Sequence, residues 1–149
     1  VVGNFEDTIR EWAFLAAFMP VIAGMGGNMG TQTLTLVTRG LALGDVGKGM
    51  AWRIVWRQLL VGITLGIAVG ALMGGGAWLW QGPRLALTVF CALIGNFILG
   101  ALVGTMVPIA FESLDRDPAV GSGVIVTAVT DVLGFLQFLA LGAYFLSGS

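Results

Sequence analysis

Asp131 is the residue with the most chemistry to explain. It stands in the stretch 118–149 with 13 uncharged residues before it and 18 after, and no Lys or Arg shares that stretch. Placing an Asp at the centre of a membrane helix costs about 2.5–3.5 kcal/mol on insertion scales. An acid kept there has two ways to be tolerated. Either it is neutral and donates a hydrogen bond to a neighbouring helix, or it is charged and faces water and cations. Gly123, Thr127 and Gly134 lie on its face at helical spacing, with Thr130 beside them. Hydroxyls and missing side chains there leave room for solvent. A divalent cation about 5 Å from a carboxylate gains on the order of 6–7 kcal/mol at an effective dielectric of 20, which exceeds the insertion cost. Homo-oligomers are most often two-fold, so one Asp per chain becomes a pair in a dimer. Mg²⁺ dehydrates reluctantly. Asp131 and Thr127 would then accept from the water shell of the hydrated ion.

A second polar group lies in Pro20–Thr38, PVIAGMGGNMGTQTLTLVT. Asn28, Thr31 and Thr35 share one helical face and Gln32 flanks it. A polar face at membrane depth needs partner helices or water. Gly24, Gly26, Gly27 and Gly30 make a poor helix interior, at about 1 kcal/mol each against Ala. The expected element is a helix bent or loosened around this cluster, lining a wet path. The plainer alternative is interhelical hydrogen bonding with glycine packing.

Composition narrows the setting for both groups. Of 149 residues, 57% are hydrophobic and only 10% charged, with no His and one Cys, and the mean hydropathy is +0.95. Soluble domains carry about 25% charged residues, so these side chains cannot cover a water-facing surface. A net charge of −1 offers no basic patch for nucleic acid. Without His, and with Cys91 alone, most zinc sites and Ser-His or Cys-His triads are excluded. An intramembrane aspartyl protease needs two buried acids where one is present. Gly24–Gly30 lacks the Lys-Ser/Thr of a phosphate loop. An integral membrane protein, and not an enzyme, is expected.

Four uncharged or nearly uncharged stretches are long enough to span a bilayer, which takes about 20 residues: 12–38, 58–83, 85–111 and 118–149. Their hydrophobicity is continuous rather than alternating, which predicts helices and not barrel strands. The fold class expected is an all-α, polytopic transmembrane bundle. Glu6, Asp7 and Glu11 do not suit a secretory leader. Arg39, Lys48, Arg53, Arg57 and Arg116 fall in loops on one side of these spans, and Arg10 and Arg84 on the other. That bias puts the first side in the cytoplasm. Glu6, Asp7 and Glu11 then gather outside, where they would concentrate cations, and Glu112, Asp115 and Asp117 gather inside. Asp117-Pro118 reads as an N-cap followed by Pro at the first helical position. Gly62, Gly66, Gly70 and Gly74 form one smooth stripe, and Gly100 and Gly104 continue a line from Asn96 toward Pro108. Both patterns predict close helix packing in lipid.

Taken together, PVIAGMGGNMGTQTLTLVTRGLALGD (Pro20–Asp45) and DPAVGSGVIVTAVTDVLGF (Asp117–Phe135) closely resemble the membrane-domain signature and last helix of the MgtE family of magnesium channels and transporters. The similarity runs over essentially the whole chain. It implies one transmembrane pore domain over residues 1–149, homodimeric in the lipid bilayer of a bacterial or archaeal cell membrane, with the ion path at the subunit interface. The family has five helices, of which the first has no counterpart here beyond Val1-Val2, so a preceding span is expected. By resemblance Asp131 is the pore carboxylate holding hydrated Mg²⁺, the transported ion. Thr127 lies one turn before it, and Asn28 with Gly24–Gly27 matches the pore side of the other lining helix. Asp131, Thr127 and Asn28 are thus the candidate metal residues. Gly24, Gly27, Thr31, Thr130 and Gly134 are the candidate pore lining. Many members also carry cytosolic N-terminal and CBS modules, and these 149 residues contain neither. Two other readings stay open: a proton- or Na⁺-coupled divalent cation exchanger, and a helical scaffold that transports nothing.

Overall fold

The computed structural model describes residues 2–6, 9, 13–44, 51–115, 117 and 121–146. Arg10, Lys48 and Arg116 from the charge-bias argument lie outside them, as do Asp7, Glu11 and Pro118. Every long element is a helix: α1 (Leu15–Ala42), α2 (Ala51–Gln81), α3 (Pro83–Ser113) and α4 (Ser122–Leu146). A short 3-10 helix, Val2–Phe5, packs near α4. A polytopic helical membrane bundle is what this sequence builds.

Among the described residues, three helices are long and apolar enough to cross a membrane: Trp52–Gln81, Pro83–Ser113 and Ser122–Leu146. Four were expected. At 28 residues, α1 reaches about 42 Å, which is long enough. Its polar residues from Asn28 to Thr38 keep it below the apolarity of the other three. Along α2, exposed Trp52 and Trp56 at one end and exposed Trp78 and Trp80 at the other resemble the two aromatic belts of a membrane protein. Trp56 and Trp78 are about 33 Å apart along the helical rise, matching a hydrocarbon core of about 30 Å. Trp52 and Trp56 meet edge to face at 5.6 Å.

The hub is α3, which packs against α1, α2 and α4, while α1 also packs on α4. Glycines decide how closely. A Cβ on Gly62 would lie 2.9 Å from the Phe97 carbonyl oxygen. One on Gly66 would lie 2.9 Å from Ile94 Cα, and one on Gly74 3.1 Å from the Ala86 carbonyl oxygen. The stripe on α2 is thus the surface that receives α3, running antiparallel to it. The turn between them is short because Gly82 adopts φ 91°, a region open to glycine, and Pro83 starts the next helix. On its other side α3 meets α1 with both chains running the same way. A Cβ on Gly100 would lie 2.6 Å from the Gly26 carbonyl oxygen, and one on Gly104 2.8 Å from Thr33 Cβ.

One local expectation changes: α1 is not loosened but is one uninterrupted helix through Pro20 and the glycine cluster. Gly26 and Gly30 sit where α3 and α4 press closest, so packing outweighs the intrinsic penalty of glycine. The described part of α4 begins at Ser122 after Gly121, whose φ is 80°. The cap expected at Asp117-Pro118 falls on Pro118, outside the described residues.

Inside the bundle, several threonines are satisfied within their own helix, while the buried hydroxyls of Thr33 and Thr38 have no partner among the described residues. Thr88 donates to the Arg84 carbonyl, Thr105 to that of Ala101 and Thr130 to those of Val126 and Thr127. Asn96 is different. It is 0% exposed, its Nδ2 donates to the Ile22 carbonyl of α1, and its Oδ1 has no partner. An interhelical hydrogen bond in a membrane protein averages about 0.6 kcal/mol, and an unpaired buried acceptor costs about 1–3 kcal/mol. On that comparison the carboxamide adds no net stability.

The helix contacts predict a contrast between glycines of one helix. Gly66→Ala should destabilise by about 1–3 kcal/mol through overpacking against Ile94. Gly75→Ala, with nothing within 4 Å of its Cβ position, should be neutral or stabilising by up to about 1 kcal/mol. Thermal unfolding in detergent checks this, and equal Tm values for the two variants would contradict the packing described.

Candidate functional site

The site is built on the side of α1 and α4 that α3 does not cover. These helices run antiparallel and approach through Gly27, whose Cβ position lies 3.9 Å from Asp131 Oδ1 and 4.0 Å from Thr130 Oγ1. A side chain at position 27 would stand against the carboxylate. Asp131 is partly exposed near the middle of the 25-residue α4. One turn before it, Thr127 is exposed. On α1, Gly24, Asn28, Thr31, Gln32 and Thr35 are all exposed, and nothing lies within 4 Å of the Gly24 Cβ position.

The hydroxyls of this face share one arrangement. Thr31 Oγ1 donates to the Gly27 carbonyl at 3.0 Å, Thr35 to that of Thr31 at 2.8 Å and Thr127 to that of Gly123 at 3.0 Å. Each proton is used within its own helix, so the oxygen presents lone pairs outward. With the Asp131 carboxylate, the face is rich in acceptors. Toward the Arg39 end it runs into a cavity of about 440 Å³, lined by Leu34, Thr35, Thr38, Arg39, Ala42, Ser122 and Gly123.

Thr130 and Gly134 turn away from this face. Thr130 is buried, with its Cγ2 3.4 Å from the Gly30 Cβ position, and Gly134 is buried with its Cβ position 2.7 Å from Asn96 Oδ1. Of the acidic residues expected at the two membrane surfaces, Asp7 and Glu11 lie outside the described residues. Glu6, Glu112, Asp115 and Asp117 are exposed, and among the described residues no three His, Cys, Asp or Glu side chains group to hold a metal.

Two carboxamides that sequence reasoning did not single out as functional tie α3 to the site helices. One is Asn96, in the notch between Gly26 and Gly134. The other is Gln137, whose Nε2 donates to the Ala92 carbonyl at 3.3 Å across Gly95. An amide inside an apolar span is the signal that marks such residues.

The chain matches, over residues 19–141, the model of a family described as MgtE, divalent cation transporter. It is 33% identical over 147 residues to the magnesium transporter MgtE of Bacillus subtilis (strain 168), covering 98% of this chain and 33% of that protein. It is also 33% identical over 142 residues to the magnesium transporter MgtE of Thermus thermophilus, covering 95% and 31%. With the magnesium transporter MgtE of Enterococcus faecalis it shares 28% identity over 147 residues, covering 98% and 32%. The chain thus spans about a third of the length of these relatives. They are transporters rather than enzymes, and the helices here fit a multi-pass protein of the cell membrane. With a match over most of its length and relatives at this identity, the chain belongs to the MgtE family of divalent cation transporters.

Proposed function

We propose that this chain is a magnesium-conducting membrane domain. In this reading two copies meet on the polar face of α1 and α4, and hydrated Mg²⁺ passes between them. The observation that carries it is Asp131, a part-exposed carboxylate midway along an apolar helix and beside the bare backbone of Gly27. Lipid is a poor neighbour for a charge at this depth, so protein or water must cover the face.

The donor pattern selects the cargo. A hydrated cation turns water O–H groups outward, and these need acceptors. The Asp131 carboxylate and the outward oxygens of Thr31, Thr35 and Thr127 are acceptors, and the Asn28 amide offers a further oxygen. One carboxylate per chain is too few to strip Mg²⁺ of water, since the ion keeps several waters even at dedicated sites. Two carboxylates facing each other would favour a divalent ion over a monovalent one. Gly24 and Gly27 keep the path wide enough for the water shell. Membrane potential supplies about 2.3 kcal/mol per charge per 100 mV, hence roughly twice that for Mg²⁺. The names of the relatives support magnesium as the ion.

Two outcomes follow. In liposome flux assays, Asp131→Asn should reduce Mg²⁺ uptake by about 10–100-fold, equivalent to about 1.4–2.7 kcal/mol, with the protein still folded. Wild-type uptake by that variant would remove the basis of the proposal. In a Cys91→Ala background, Thr31→Cys should form an oxidant-induced disulfide between two copies. Leu79→Cys, 90% exposed on the far helix α2, should not. Equal cross-linking at the two positions would contradict the interface.

A further inference from the structure

Position 96 is the centre of a junction between three helices. Asn96 projects from α3, donates to the Ile22 carbonyl of α1 and is wholly buried. The glycines around it leave space that its carboxamide fills. A Cβ on Gly26 of α1 would lie 2.6 Å from Asn96 Cγ, and one on Gly134 of α4 2.7 Å from Asn96 Oδ1. One side chain therefore spaces α1 from α4.

The two glycines flank the proposed ion path. Gly26 precedes Gly27, and Gly134 lies about one turn beyond Asp131. The Gly27 Cβ position and Asp131 Oδ1 are 3.9 Å apart, so a small shift of α4 against α1 changes which backbone the carboxylate faces. An apolar side chain would fill the same notch without leaving an acceptor unpaired, yet Oδ1 has no partner among the described residues. Placement, rather than stability, accounts for an amide here.

We propose that Asn96 is a positioning residue for the ion path. It holds α1 and α4 at the spacing that sets Asp131 beside Gly27, and so it tunes affinity and ion discrimination without touching the ion. This rests on the magnesium-path reading above.

The test is uptake of Mg²⁺ and of Ca²⁺ into liposomes by the full chain, with Asp131→Asn run alongside. Asn96→Ala should raise the half-saturating Mg²⁺ concentration about tenfold and lower the Mg²⁺/Ca²⁺ uptake ratio, while maximal uptake changes less and the protein stays assembled. Gly134→Ala should do the same, because its methyl would press on Oδ1. The double variant Asn96→Ala/Gly134→Ala should return toward wild type, since the methyl then occupies vacated space. Should Asn96→Ala fail to assemble, Gly134→Ala alone decides. Wild-type half-saturation and ion ratio in the assembled single variants, with Asp131→Asn impaired, would overturn the positioning role and leave the path reading intact. Wild-type uptake by Asp131→Asn would overturn both.

Discussion

A carboxylate midway along an apolar helix must be met by protein, water or an ion, and in the proposed reading that requirement organises the structure. Asp131 has no basic residue in its own span to pair with. Its oxygen lies against Gly27, where a side chain is missing. The exposed polar residues of α1 and α4 extend from it along one face. The opposite faces of the same helices are closed by α3, with the Thr130 hydroxyl bonded to its own helix and glycines at the crossings. The apolar packing and the polar face are thus two sides of one helix pair. In the proposed reading the tight side fixes the geometry that the polar side uses.

Close backbone approach supplies the rigidity. Lipid tails are as apolar as Leu, so helices in a bilayer gain little from hydrophobic burial and depend on van der Waals packing. Here the antiparallel α2–α3 pair closes through Gly62, Gly66, Gly70 and Gly74. The co-directional α1–α3 pair closes through Gly100 and Gly104 against Gly26 and Gly30. Asn96 and Gln137 add directional bonds across these contacts. Gly30 against Val126 and Gly134 against Asn96 set where α4 meets its neighbours, which suits the proposed site, where the direction of a single carboxylate matters.

Much of this was legible in residue spacing. The stripe at 62, 66, 70 and 74 shares one side of a helix, and each of its glycines meets α3. Thr127 and Asp131, four apart, fall on one side of α4, as do Asn28, Thr31 and Thr35 on α1. Other features were not legible, for physical reasons. Thr130 and Gly134 lie three residues from Thr127 and Asp131, and periodicity cannot say where along so broad an arc the neighbouring helix sits. In the fold Thr130 meets α1 and Gly134 meets Asn96. Glycine content predicted a loosened α1, but the same glycines admit the helices that pack on it, and it stays one uninterrupted helix. The role of Asn96 depends on two glycines on other helices, which one stretch of sequence cannot reveal.

The most direct measurement of the central claim is the density of the assembled protein in lipid nanodiscs, compared with Mg²⁺ and with a chelator. The account predicts a Mg²⁺-dependent peak between two copies of Asp131, about 4–5 Å from each carboxylate, as expected for an ion held through its own waters. Two Asp131 side chains facing lipid, or far apart with no peak between them, would contradict it.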